Sequence, residues 1–158
     1  MGKSLAELLQ TEEVDSPFGA IDVGTYSLKV ENAVYEESHE VSRDDGTVVA
    51  ISPTVRLQLR VTDADENGIA GPMDNQVAFV RMYIDSSRER PFGFVMKGYR
   101  ALTGGSLLEG LDDYPTDDAI AQKFAASVIG GQVRAKIGQR KDRRNEAYNV
   151  VNKWVTEG

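Results

Sequence analysis

Ala78-Phe79-Val80-Arg81-Met82-Tyr83-Ile84 alternates along the chain with a period of two, and then the period changes. From Pro91 onward Phe92, Val95, Met96, Tyr99 and Leu102 recur at helical spacing, until Gly104-Gly105 ends the run. A period of two is what a strand with one buried face requires; a period near 3.6 is what an amphipathic helix requires. The switch predicts a strand at 76–85, with Ala78, Val80, Met82 and Ile84 on one face and Phe79, Arg81 and Tyr83 on the other. It also predicts a helix opened by Pro91 at its first position, where the missing N–H loses no bond.

Two earlier stretches repeat the strand signal. Val55, Leu57, Leu59 and Val61 alternate with Arg56, Gln58 and Arg60. Before them Tyr26, Leu28, Val30 and, past Asn32, Val34 alternate with Ser27, Lys29 and Glu31. The residues between, 36–53, read as a long polar connection with a turn at Arg43-Asp44-Asp45-Gly46. Asp63-Ala64-Asp65-Glu66-Asn67-Gly68 turns the chain into the third strand. Beyond the first helix, Thr116 caps a second one with Asp117 and Asp118 in its first turn, where the helix dipole favours acids. That helix ends near Gly130-Gly131, and two strands follow at 132–139 and 146–155.

Residues 4–13 read as a short helix: Ser4 and Glu7 fit a capping box, and Leu5, Leu8 and Leu9 share a face. Glu12-Glu13-Val14-Asp15 and the breaker Ser16-Pro17-Phe18-Gly19 close it. It either packs on the domain or serves as a partner-binding arm. The chain thus divides into an N-terminal helix and arm, 1–20, and a domain, 21–158. The order of the domain is three strands, a helical insertion and two strands. That is the layout of an OB-like five-stranded Greek-key barrel, mainly β with helices, whose strand 2–3 face and whose 1–2 and 4–5 loops bind oligonucleotides or oligosaccharides.

Composition narrows the function classes. At 158 residues the chain is long enough for one sizeable core, and with no cysteine it has no disulfide, thiol nucleophile or cysteine zinc site. No apolar run approaches the ~18 residues that cross a bilayer, and the N-terminus lacks a secretory h-region, so a cytoplasmic protein without membrane contact is expected. The net charge is −7, yet the last thirty-one residues hold seven Lys/Arg against three acids, a local +4 that leaves the preceding 127 at −11. Such segregation matters more for a local site than the total does. Arg140, Lys141, Arg143 and Arg144 cluster at the turn between the last two strands, with Arg134, Lys136 and Lys153 along them. Phosphates would use these cations, since each neutralised phosphate releases counterions. A solvated turn that keeps strand edges from pairing is the plainer alternative.

Strand parity sharpens the case. If Val55, Leu57, Leu59 and Val61 face inward, then Arg56 and Arg60 face out, and Phe79, Arg81 and Tyr83 join them from the neighbouring strand. Rings among arginines are what single-strand binding needs: bases stack on the rings and cations follow the phosphates. The alternative is that Phe79 and Tyr83 pack beneath a helix. Tyr26 falls on the inward parity and reads as core, while Tyr35 and Trp154 are second-rank stacking candidates.

Catalytic constellations are poor. His39 is the only histidine and lies in an acidic polar stretch. Asp63, Asp65, Asn67 and Gly68 begin like a calcium loop, but Asp74 stands where a closing glutamate belongs. Loop and capping roles account for Asp112, Asp113, Asp117 and Asp118. The reading is therefore a non-enzyme with no metal or other cofactor.

The chain also resembles the phage-encoded single-stranded-DNA-binding proteins of replication and recombination cassettes. The resemblance rests on Gly24-Thr25-Tyr26, Leu57-Gln58-Leu59-Arg60-Val61, the strand from Gly131 to Gly138, and Tyr148-Asn149-Val150-Val151, spanning roughly 21–155. It implies an OB-fold and sequence-tolerant binding of single-stranded DNA in the bacterial host cytoplasm. Further partners it implies are a phage recombinase or replication protein and other copies of the chain. Many such proteins end in an acidic tail that recruits partners; this chain closes on Trp154-Val155-Thr156-Glu157-Gly158, so recruitment through such a tail is not expected. A phage structural or assembly protein, using the barrel for protein contacts, is the alternative.

Overall fold

The computed structural model describes residues 20–64 and 75–155. The N-terminal helix at 4–13 and most of the calcium-like loop lie outside them. Alternating burial makes the strands. On β4 (Thr54–Ala64), Val55, Leu57, Leu59 and Val61 are wholly buried while Arg56, Gln58 and Arg60 between them are half-exposed. On β5 (Val77–Tyr83), Ala78, Val80 and Met82 are buried, and Arg81 and Tyr83 are exposed. Each of the buried Val, Leu and Met side chains contributes about 1.5–3 kcal/mol by leaving water.

Five antiparallel strands form one sheet in the order β5-β4-β1-β6-β7, where β1 is Gly24–Glu36, β6 is Gln132–Lys141 and β7 is Ala147–Val155. The sheet is open: among the described residues no hydrogen-bonded ladder joins β5 to β7, although these two edge strands approach each other. The connection at 36–53 is not wholly irregular. It carries a separate hairpin of β2 (His39–Ser42) and β3 (Val48–Ile51), in which Val41 stands opposite Val49. Both its strands are largely exposed, so no buried face existed to imprint a pattern on the sequence.

Two of the three register shifts in the sheet correct the simple alternation. On β1 the register slips between Val30 and Asn32, leaving Glu31 as the extra residue. Past it, Ala33 and Tyr35 pack against the core and Val34 stands opposite Arg56, so Val34 is not on the inward face that strict alternation gives it. On β7 the register slips at Asn152, which sets Trp154 opposite buried Ala135 and Lys153 opposite exposed Lys136. A bulge re-aims every side chain beyond it.

Two helices cover one face of the core. Helix α1 (Glu89–Thr103) begins two residues before Pro91, which sits within the first turn rather than at its first position. Phe92, Val95, Tyr99 and Leu102 are buried, whereas Met96 is 36% exposed and Gly98 takes the inward place instead. The reason is steric: a Cβ on Gly98 would lie 2.5 Å from the Trp154 ring. Helix α2 (Asp117–Val128) starts as expected, with Thr116 Oγ1 accepting from the Ala119 N–H at 3.0 Å, and it buries Ile120, Phe124 and Val128. Asp118 ties this helix to the end of β1: Tyr35 donates to its carboxylate at 2.5 Å and the Ser38 hydroxyl at 2.6 Å. Those two donors hold the Asp118 carboxyl below its ordinary value, and the same carboxylate pushes the Tyr35 phenol up to about 12.

Candidate nucleic-acid interface

The ladder between β4 and β5 fixes which side chains share the outer face. Thr54 stands opposite Tyr83, Arg56 opposite Arg81, and Gln58 opposite Phe79. Directly opposed residues of an antiparallel pair lie on the same face with Cβ atoms about 5 Å apart. Tyr83 is 57% exposed and Phe79 half-buried, so the Tyr83 ring stands clear as a surface ring while Phe79 is seated at its base.

The β6–β7 hairpin faces these strands across the open side of the sheet. Together they enclose a groove of about 400 Å³, lined on one side by Arg56, Phe79, Arg81 and Tyr83 and on the other by Arg140, Asp142, Tyr148 and Val150. A shallower depression of about 340 Å³ continues it past Arg81 and Tyr83 toward Glu36, His39 and Ile51. Three arginines and three aromatic rings thus meet in one groove, with Asp142 as its acid.

Each charge has a definite partner or none. Arg81 reaches Glu36 at 3.3 Å, a solvent-exposed pair of the kind worth little and easily exchanged for another anion. Arg56 makes no ion pair among the described residues. Asp142 is used internally: its carboxylate accepts from the Arg144 N–H at 2.8 Å and the Glu146 N–H at 3.0 Å. Asn145, with φ 64°, completes the turn in a conformation that asparagine tolerates. Strand β6 runs on to Lys141, so the turn proper is 142–146, not 140–144. Lys141, Arg143 and Arg144 are exposed around it without a carboxylate partner among the described residues.

The remaining cations lie elsewhere. Arg60 is at the far end of β4, opposite Val77, with Nε on Glu31 at 2.7 Å and a terminal nitrogen on the Asn75 carbonyl at 2.6 Å. The Glu31 carboxyl, held below its ordinary value first by Arg60, also accepts from Gln58 at 3.1 Å. Arg60 is thus engaged by Glu31 and does not line the groove in which Arg56 and Arg81 meet. Arg134, Lys136 and Lys153 are exposed on the outer face of β6 and β7, beyond the groove.

Neither second-rank ring is available for stacking. Trp154 is 4% exposed, its Nε1 donating to the Phe94 carbonyl at 3.0 Å and its ring 5.5 Å from Phe94. Tyr35 packs on the core and binds Asp118. Tyr26 is buried, as its parity requires. The residue missed in the sequence is Tyr148, 39% exposed and opposite Arg140. The last strand is apolar on both parities, and only its pairing with β6 reveals which side this ring takes.

Among the described residues no group of three His, Asp or Glu could hold a metal ion, and no helix is long and apolar enough to cross a membrane. His39 is exposed on β2. No protein-family model matches the chain, and no curated protein matches it in sequence. What the groove offers is ring faces for planar groups and guanidinium groups for anions, within one continuous surface.

Proposed function

We propose that this protein binds single-stranded DNA without chemistry and without strong sequence preference, using an OB-like domain. The observation that carries the reading is the meeting of Phe79, Tyr83 and Tyr148 with Arg56, Arg81 and Arg140 in one groove between the β4–β5 face and the β6–β7 hairpin. Stacking on such rings accepts any base, and the arginines accept the phosphates between them.

The strand order supports an OB-like Greek key. Three successive sheet strands lie side by side as β1, β4 and β5, and the fourth, β6, returns to lie beside the first. The approach of β7 to β5 supports reading the sheet as a partly open five-stranded barrel, in which the ligand face and the 4–5 hairpin would coincide with the groove. The resemblance to phage-encoded single-stranded-DNA-binding proteins extends the reading to phage replication or recombination in the host cytoplasm. A recombinase or replication protein and self-association are the partners it implies. Arg143 and Arg144, at the hairpin tip, would close over the bound strand.

Fluorescence anisotropy of labelled oligo(dT) across a salt series tests this. The expected result is saturable binding that weakens linearly in log–log form with salt; no salt-sensitive binding refutes it. One feature favours the second reading, a phage structural or assembly protein: Val41 and Val48, 43% and 58% exposed, on a hairpin with no core of its own. On that reading the groove would be incidental and oligo(dT) would not bind.

A further inference from the structure

The outer face of β6 does not end at the groove. Period-two geometry sets Arg134, Lys136 and Arg140 on one face, with Gly138 between the last two. Arg140 lines the groove, and Lys136 lies about 13 Å further along the strand. Directly across from Lys136 stands Lys153, because the bulge at Asn152 shifts β7 by one residue. Without that bulge Lys136 would face Asn152 and Lys153 would face Ala135. Both lysines are exposed, and neither has an acidic partner among the described residues. Gly138 is part of the same arrangement: a Cβ there would collide with the Asn152 amide, so the glycine lets the bulged residue lie flat over β6.

Two like charges directly opposed on a sheet destabilise the fold. Burying Trp154 explains the bulge, but it does not explain why the residue re-aimed beside Lys136 is a lysine. On the β1 side Thr25 stands opposite Lys136 and Ser27 opposite Arg134, and exposed Lys29 follows opposite Gln132. From Arg140 the surface therefore continues as a cationic lane flanked by small polar residues.

We propose that a bound single strand leaves the groove along the outer face of β6 and β7, with Lys136 and Lys153 holding its phosphates as a second subsite. This rests on the reading of the groove as a single-strand site and adds the direction in which the ligand runs. Lysine suits the role, since a mobile ammonium follows a flexible backbone without demanding fixed geometry.

The test compares oligo(dT) probes of about 4 and about 16 nucleotides, the two ends of the range of site sizes for such folds. Each is titrated against the wild type and the double variant Lys136→Gln/Lys153→Gln, which keeps most of each stem. The long probe should bind the variant more weakly, with the salt slope smaller by about 1.4, two phosphates at ~0.7 each. The short probe should bind both proteins alike. Thermal unfolding of the variant should be no lower than that of the wild type, since a repulsion is removed. Unchanged binding of the long probe overturns the proposal. So does an equal loss for both probes, which would make the lysines part of the groove's general field. If neither probe binds the wild type, the groove reading itself fails, a separate result.

Discussion

Arg56 and Arg81 stand directly opposite each other in the β4–β5 ladder, and among the described residues only Arg81 of the two pairs with a carboxylate, Glu36 at 3.3 Å. Opposed like charges work against the sheet, so the pair is better suited to a bound anion than to folding. Arg56→Ala should leave unfolding midpoints unchanged or slightly raised. The same variant should weaken oligo(dT) binding and reduce the salt slope by about 0.7, as expected when one phosphate is no longer neutralised.

Tyr83 and the hairpin cations should separate by mechanism. Tyr83→Ala removes an exposed ring, so the protein should fold normally. Its binding should fall by about 1–3 kcal/mol with little change in salt slope, because a stacking interaction releases no counterions. Arg143→Ala with Arg144→Ala should do the reverse, lowering the slope by roughly 0.7 for each phosphate left unneutralised. Isothermal titration at several salt concentrations reads both. If both variants bind like the wild type, the rings and the hairpin are not the platform.

Gly98→Ala should destabilise, although alanine is the better helix former by about 1 kcal/mol. The added Cβ would meet the Trp154 ring at 2.5 Å, and Trp154 is held by Phe94 and by the wall of β6. Overpacking of this kind costs about 1–3 kcal/mol. Urea unfolding monitored by Trp154 fluorescence gives the sign; a more stable variant would mean the ring can move aside.

The link between Tyr35 and Asp118 has opposite signs at the two ends of the pH scale. The Tyr35 phenol is raised from 10.0 to about 12, so its contribution is intact below pH 10 and is lost as pH climbs toward 12. The Asp118 carboxyl is lowered, so its contribution holds above the ordinary carboxylate range and fades on acidification below it. An ultraviolet titration should show a late-ionising tyrosine step that Tyr35→Phe removes. Asp118→Asn should bring it back toward the ordinary value.

What could be read from the sequence follows from burial. Val55, Leu57, Leu59 and Val61 face one core without interruption, so period two is unbroken and Arg56 falls on the outer face by arithmetic. The helix after β5 announces itself the same way through Phe92, Val95, Tyr99 and Leu102. Glu31 and Asn152 are different: one inserted residue reverses the parity beyond it, and no residue type marks the insertion. Val34, Tyr35 and Trp154 therefore took other faces than simple alternation gives. The β2–β3 hairpin left no pattern because neither of its faces is buried. Tyr148 entered the groove through its cross-strand partner Arg140, a relationship that exists only in three dimensions.

Preference for single strands is decided by titrating this protein with a labelled single-stranded oligonucleotide and with the duplex of the same length in the same buffer. The single strand should bind more tightly, because the rings of Phe79, Tyr83 and Tyr148 can stack only on bases free of a complementary strand. Equal or tighter binding of the duplex would contradict it.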